Sequence, residues 1–211
     1  MGVKRFQSGG FWDTRLSDAG IRECSILNLK LKQLTGSKAN FISNQAYREA
    51  LHAFSEKNLS IYSSPLTRTI QTAEILFKDI QISSRIAHPL LRERLYLSSD
   101  KGRKKNVLEK EFTKWDFSLL PDDLEWWYET RKGEDYVEWR PEGEYLCNGE
   151  PEDVFRSRMK DLRKWIISQP DDLVLVTHWG VISSLTGKSF ENCEAASFYK
   201  DQLLLEPYIA H

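Results

Sequence analysis

Four consecutive apolar residues, Leu173-Val174-Leu175-Val176, stop abruptly at Thr177-His178-Trp179-Gly180. A strand with one wet face alternates apolar and polar residues. An unbroken run this short instead fits a strand covered on both faces, as in a parallel sheet between two layers of helices. A second strand-like segment, Leu59-Ser60-Ile61-Tyr62, runs into Ser63-Ser64-Pro65-Leu66-Thr67-Arg68. Pro65 suits the first turn of a helix, where its missing N–H costs nothing. Leu66, Ile70, Ala73 and Phe77 then recur at spacings of 4, 3 and 4, which predicts one apolar helix face.

The same alternation runs along the rest of the chain. Ser17-Asp18 reads as a helix start, with Ile21, Leu27, Leu31 and Leu34 carrying the helix to Gly36. A second helical piece is expected around Tyr47, Leu51 and Phe54, and a strand at Arg85 to Leu91. Pro151 opens a helix with Phe155, Met159, Leu162 and Ile166 on its inner face, and Gly180 starts another. Phe198 to Leu205 reads as an edge strand. Strands alternating with amphipathic helices predict an α/β fold, three-layered, with a mainly parallel sheet flanked by helices. At 211 residues the chain is long enough for one domain with a sizeable core. Residues 96–150 stand apart: they hold the basic run Lys101-Gly102-Arg103-Lys104-Lys105, then Trp115, Trp126, Trp127 and Trp139 among many acids. Weak periodicity there reads as an insertion or lid-like region over one edge of the sheet, its tryptophans anchoring it to the core.

Composition narrows the function classes. A net charge of −1 provides no global field toward nucleic acid or an anionic membrane. No apolar run approaches the roughly 20 residues that span a bilayer. Cys24, Cys147 and Cys193 are scattered, with no C-x-x-C pair, which argues against a disulfide framework and a zinc knuckle and fits a reducing compartment. Gly2 is followed by Phe6 where a myristoylation motif wants Ser or Thr. The expectation is a cytoplasmic protein with no cofactor and no metal, no nucleic-acid or membrane partner, and an oligomeric state that composition does not fix.

In open α/β sheets, ligands bind outside the carboxyl ends of the strands. Arg68 falls in the first turn of the helix after its strand, where backbone N–H groups and the helix dipole already favour an anion. A guanidinium there can hold two oxygens of a phosphate at once. His178, at the end of another strand, would offer a hydrogen bond or positive charge to the same oxygens, and Gly180 lets the backbone come close. Ser64, Thr177 and Arg5 are further possible substrate contacts.

Taken in order, these segments resemble the histidine phosphatase superfamily, the phosphoglycerate mutase-like family. Arg5-Phe6-Gln7 through Asp13-Thr14-Arg15-Leu16-Ser17-Asp18-Ala19-Gly20 is similar to its R-F-Q-G…D-x-x-L-T-x-x-G segment. Ser64-Pro65-Leu66-Thr67-Arg68-Thr69-Ile70-Gln71-Thr72-Ala73 fits S-P-L-x-R-x-x-Q-T-A at every fixed position. Leu91-Arg92-Glu93 resembles its L-x-E, Gly149-Glu150-Pro151 with Arg158 its G-E-S…R, and Val176 to Ile182 its V-[ST]-H-x-G-x-[IL] strand end.

The resemblance implies a phosphomonoester hydrolase. In the family a histidine of an R-H-G motif attacks phosphorus, and water later hydrolyses the phosphohistidine. Two arginines and a second histidine hold the phosphoryl oxygens, and a carboxylic acid protonates the leaving oxygen. Carried over by motif, Arg68 is one clamp arginine, His178 the second histidine and Glu93 the acid, with a phosphorylated small molecule as substrate. The sequence departs from the family in containing no R-H-G. The strand that carries it, the nucleophile and the first clamp arginine are therefore expected to be missing, as in a truncated form of a longer protein, inactive in this form. Losing that strand would open a central sheet and leave two rows of backbone groups unpaired. His52, His88 and His211 sit in no matching context. The alternatives are a non-catalytic phosphate-binding protein and a phosphoglycerate mutase.

Overall fold

Three parallel strands, β1 (Ser60–Ser63), β2 (Ser84–Ala87) and β3 (Val174–Val176), lie side by side in the order β2-β1-β3. They form the sheet of an α/β fold in a computed structural model that describes residues 12–35, 59–122, 126–127 and 149–208. Five helices accompany them among these residues: α1 (Asp18–Thr35), α2 (Thr67–Leu76), α3 (Lys105–Glu111), α4 (Glu152–Ser168) and α5 (Trp179–Thr186). The register sets Ile61 against Arg85 and Val174, and Ser63 against Ala87 and Val176. All three strands therefore end on one edge of the sheet.

The two faces of the sheet are both covered. Ile61, Ala87 and Val176 pack with Cys24, Leu27 and Leu31 of α1 and with Ile70, Ala73 and Leu76 of α2. Tyr62 and Leu175 point the other way, against Phe155, Met159 and Leu162 of α4 and Val181 and Leu185 of α5. This period-two division explains why β3 reads as continuously apolar: successive residues enter different cores. On α2, Leu66, Ile70, Ala73 and Phe77 are all buried, as their spacing predicts. Residues 24, 27, 28 and 31 form the inner stripe of α1, with Asn28 donating from Nδ2 to the Leu76 carbonyl at the end of α2. Ile21, expected on that stripe, is exposed, because the buried part of α1 begins one turn later at Cys24.

Three expectations change. β1 pairs directly with β3, so no gap separates them, and it is the outer side of β3 that has no strand partner among the described residues. β2 ends at Ala87 and does not reach Leu91. His88 Nδ1 accepts from the Leu90 N–H and Pro89 takes the first position of a 3-10 turn, which turns the chain away. Phe198 to Leu205 is not a strand: Gln202 N–H donates to the Tyr199 carbonyl and the Gln202 side chain accepts from Tyr199 N–H, closing a 3-10 turn at Lys200–Gln202. The helical piece expected around Tyr47, Leu51 and Phe54 lies outside the described residues.

Beyond β2, Asp116 sits alongside the sheet, its N–H donating to Arg85 O and its carbonyl accepting from Ala87 N–H. Trp115, Phe117, Leu120, Trp126 and Trp127 join the α1/α2 core. Trp126 lies against Gly102, where a Cβ would fall 1.9 Å from the indole, and its N–H donates to Arg103 O.

Candidate functional site

At the carboxyl edge of the sheet, three chain segments converge. Ser64 and Arg68 follow β1, Thr177, His178 and Gly180 follow β3, and the turn after β2 leads to Glu93. Parallel pairing of adjacent strands places these segments together, because each chain leaves the sheet in the same direction. Ser64 N–H donates to Val176 O at 2.9 Å and His88 N–H to Ser63 O at 2.8 Å, tying the three exits to one another.

Arg68 and His178 meet there. Nη2 of Arg68 is 3.4 Å from Nδ1 of His178, whose Nε2 lies 2.8 Å from Ser64 Oγ. A guanidinium only donates, so Nδ1 is the acceptor on this side and Nε2 carries the hydrogen that Ser64 Oγ receives. Burial, followed by the charges of Arg68 and Arg158, holds His178 well below the usual imidazole value. Without a ligand the imidazole is therefore neutral near pH 7, and its one N–H is given to Ser64 Oγ. Nδ1 can donate to a phosphoryl oxygen, or bring positive charge to it, once it takes up a proton. Arg68 is itself held: Nη1 donates to Ser99 O and Nη2 to Asp100 Oδ1, both at 2.9 Å.

Glu93 lies beside them. Its Oε1 accepts from Arg94 N–H at 2.8 Å and its Oε2 is 3.4 Å from Gly180 N. A Cβ on residue 180 would lie 2.5 Å from Glu93 Oε1, so glycine is needed here for close approach of the α5 start to the carboxyl. Burial pushes the Glu93 carboxyl up to about 7, with the Arg94 N–H opposing, Asp100 raising it further and Arg68 opposing again. A buried carboxyl that keeps its proton near neutral pH suits proton donation, and a fixed guanidinium beside an imidazole that can take up a proton suits an oxyanion.

A buried ion-pair cluster supports the Glu93 turn. Arg158 of α4 donates to Glu150 Oε1 and Oε2 at 2.9 and 2.6 Å, and to the carbonyls of Leu90 and Arg92 at 2.9 and 2.8 Å. Arg92 adds a third contact to Glu150 Oε1 at 2.7 Å. Glu150 is fully buried, so its charge needs all these donors. Glu150 and Arg158 stand out in the sequence as a motif, but their task of fixing the turn is visible only in three dimensions.

Other residues singled out in the sequence make contacts within the fold. Thr177 Oγ1 donates to Leu91 O, joining the His178 segment to the Glu93 turn. Arg103, from the basic run, contacts Asp13, Thr67 Oγ1 and Glu111, and Lys105 pairs with Asp122. Asp13, at φ 48°, accepts the Thr67 N–H at 2.6 Å and so caps the start of α2 one residue before Arg68. That cap replaces the side-chain cap Leu66 cannot give. Trp179 is 49% exposed, with its indole N–H 3.2 Å from Ser189 Oγ. His88 packs against Trp165, with ring centroids 4.2 Å apart. Arg5 lies outside the described residues. Asp100 and Ser99 carried no sequence signal at all.

Residues 43–200 match the sequence model of the family described as Histidine phosphatase superfamily (branch 1), a span that includes Ser64, Arg68, Glu93 and His178. No curated protein matches the chain. Among solved structures it is similar to TTHB049 from Thermus thermophilus, at 16% identity and a TM-score of 0.40, over 95% of this chain and 88% of that one.

Proposed function

The chain belongs to the histidine phosphatase superfamily, and on that premise we infer that Arg68 and His178 form the phosphoryl-binding part of a phosphomonoester-hydrolase site. Membership supports phosphatase- or mutase-type chemistry in general. The observation that carries the finer reading is the 3.4 Å approach of Arg68 and His178 at the ends of two paired parallel strands. On this reading a phosphorylated small molecule places its phosphoryl oxygens against the Arg68 guanidinium and the imidazole. Glu93, protonated, faces the ester oxygen and gives it a proton as a nucleophile forms its bond to phosphorus and the P–O bond to the leaving group breaks.

Covalent turnover by the family route needs a histidine nucleophile. No histidine of the sequence stands in an Arg-His-Gly context, and His88 is engaged with Leu90 N–H and Trp165. That observation favours a second reading, in which these 211 residues bind a phosphoryl group without turning it over. Two assays on the full chain separate the readings. Phosphate release from a panel of phosphomonoesters, lost in Arg68→Gln, supports hydrolysis. Saturable binding of inorganic phosphate without release, also lost in Arg68→Gln, supports binding alone. Neither release nor binding would sink both.

A further inference from the structure

Both terminal nitrogens of Arg68 are gripped by consecutive residues of one short turn. Nη1 donates to the Ser99 carbonyl and Nη2 to Asp100 Oδ1, each at 2.9 Å. Asp100 in turn is fixed at its other oxygen, Oδ2, by the N–H groups of Leu97 and Tyr96 at 2.9 and 3.2 Å. The carboxylate is almost completely buried, while the Arg68 side chain keeps about a fifth of its surface, 21%, exposed. This is a carboxylate held rigidly at one end so that its other end can hold a cation.

A guanidinium offers two bidentate edges: the end-on pair Nη1/Nη2 and the side-on pair Nε/Nη2. The 99–100 turn takes the end-on pair. The side-on pair is left: among the described residues Nε has no hydrogen-bond partner, and the remaining Nη2 hydrogen faces His178 Nδ1 across 3.4 Å. That contact is long for a hydrogen bond, and an oxygen placed beside it would accept from the guanidinium more favourably. Building on the phosphoryl-binding reading above, we propose that Asp100 is a positioning residue which, with Ser99 O, clamps the end-on edge of Arg68 and presents its side-on edge to a phosphoryl oxygen beside His178. The residue lies outside every motif that marks the site in sequence and acts only through Arg68.

Titration calorimetry of the full chain with inorganic phosphate tests the proposal, using Asp100→Ala and Asp100→Asn. Releasing the end-on edge of Arg68 should weaken phosphate binding by about tenfold, or about 1.4 kcal/mol, in Asp100→Ala. Asp100→Asn retains an oxygen for Nη2 and should recover most of that loss. Asp100→Ala binding as tightly as the parent, or tighter, would overturn the proposal and make Asp100 a mere competitor of the ligand. The clamp is also read without ligand, so that failure of phosphate binding itself is not confused with failure of the clamp. Nitrogen-15 NMR should show hindered Arg68 guanidinium rotation in the parent and Asp100→Asn, and faster rotation in Asp100→Ala, where only Ser99 O still holds Nη1. Free rotation in the parent would overturn the clamp even if phosphate binds, whereas hindered rotation with no phosphate binding would refute only the underlying phosphoryl site.

Discussion

Arg68 Nη2 and His178 Nδ1 lie 3.4 Å apart, and because the guanidinium cannot accept, the imidazole is fixed with its hydrogen on Nε2, toward Ser64 Oγ at 2.8 Å. Arg68 and Ser64 both follow β1, so the tautomer of His178 is set across the β1/β3 pair. Ser64→Ala removes the acceptor and leaves a buried N–H unpaired. The expected cost is about 1–3 kcal/mol in urea unfolding. Imidazole nitrogen shifts should report the Nε2–H tautomer in the parent, and the Nδ1–H tautomer would contradict this assignment.

Glu93 makes stability depend on pH with a definite sign. Its carboxyl is pushed up to about 7 in the folded chain against an ordinary 4.5, first by burial. The folded state therefore holds a proton that the unfolded state has released. The favourable contribution is complete below pH 4.5 and is lost as pH rises from 4.5 to about 7. At 1.36 kcal/mol per pKa unit this amounts to roughly 3 kcal/mol. His178 works in the opposite sense: its depressed value makes stability fall as pH drops below the ordinary imidazole value of 6.5. The two histidine effects, of His178 and of the likewise buried His88, overlap this window with opposite sign. Glu93→Gln should therefore make stability rise more steeply with pH between 4.5 and about 7 than in the parent in denaturant titrations, while leaving the histidine-dependent acid limb. An unchanged profile would place the Glu93 carboxyl in water.

Gly180 and Glu93 should be energetically coupled. A Cβ at position 180 would sit 2.5 Å from Glu93 Oε1. Gly180→Ala is expected to cost about 1–3 kcal/mol through overpacking. In the background of Glu93→Ala most of that cost should vanish. A double-mutant cycle measured by urea unfolding checks it, and additive effects would show that the two groups do not touch.

Arg158→Met should destabilise far more than a surface change. It leaves the fully buried Glu150 with Arg92 as its remaining side-chain cation and frees the carbonyls of Leu90 and Arg92. Breaking a buried pair from one side costs about 3–5 kcal/mol. Replacing Arg158 and Glu150 together by apolar residues should cost less than Arg158→Met alone. The reverse order of stabilities in urea unfolding would mean that the charges themselves hold the turn.

Much of this arrangement is legible in sequence because short-range physics writes it there. The 4, 3, 4 spacing from Leu66 to Phe77 fixes the buried face of α2, and that leaves Arg68 on the opposite side of its first turn. The apolar run before Thr177 fits a covered strand, so His178 falls at a strand end. What stays hidden depends on long-range contacts. Asp100 lies 32 residues from Arg68 and Asp13 54 residues from Thr67, with no local pattern to connect them. The edge strand expected at Phe198 to Leu205 fails because Gln202 folds back on Tyr199, a side-chain bond that competes with extension and leaves apolar content unchanged. Thr177 reads as a ligand contact by position, yet its hydroxyl donates to Leu91 O.

The most direct test is to follow the His178 imidazole by NMR while inorganic phosphate is added, in the parent and in Arg68→Gln. A phosphate dianion beside Arg68 favours the charged imidazole. The His178 ring signals of the parent should therefore shift saturably and its titration should move upward, while Arg68→Gln should show neither change. Phosphate that leaves the His178 signals untouched, or that shifts them equally in Arg68→Gln, would contradict a phosphoryl site between these two residues.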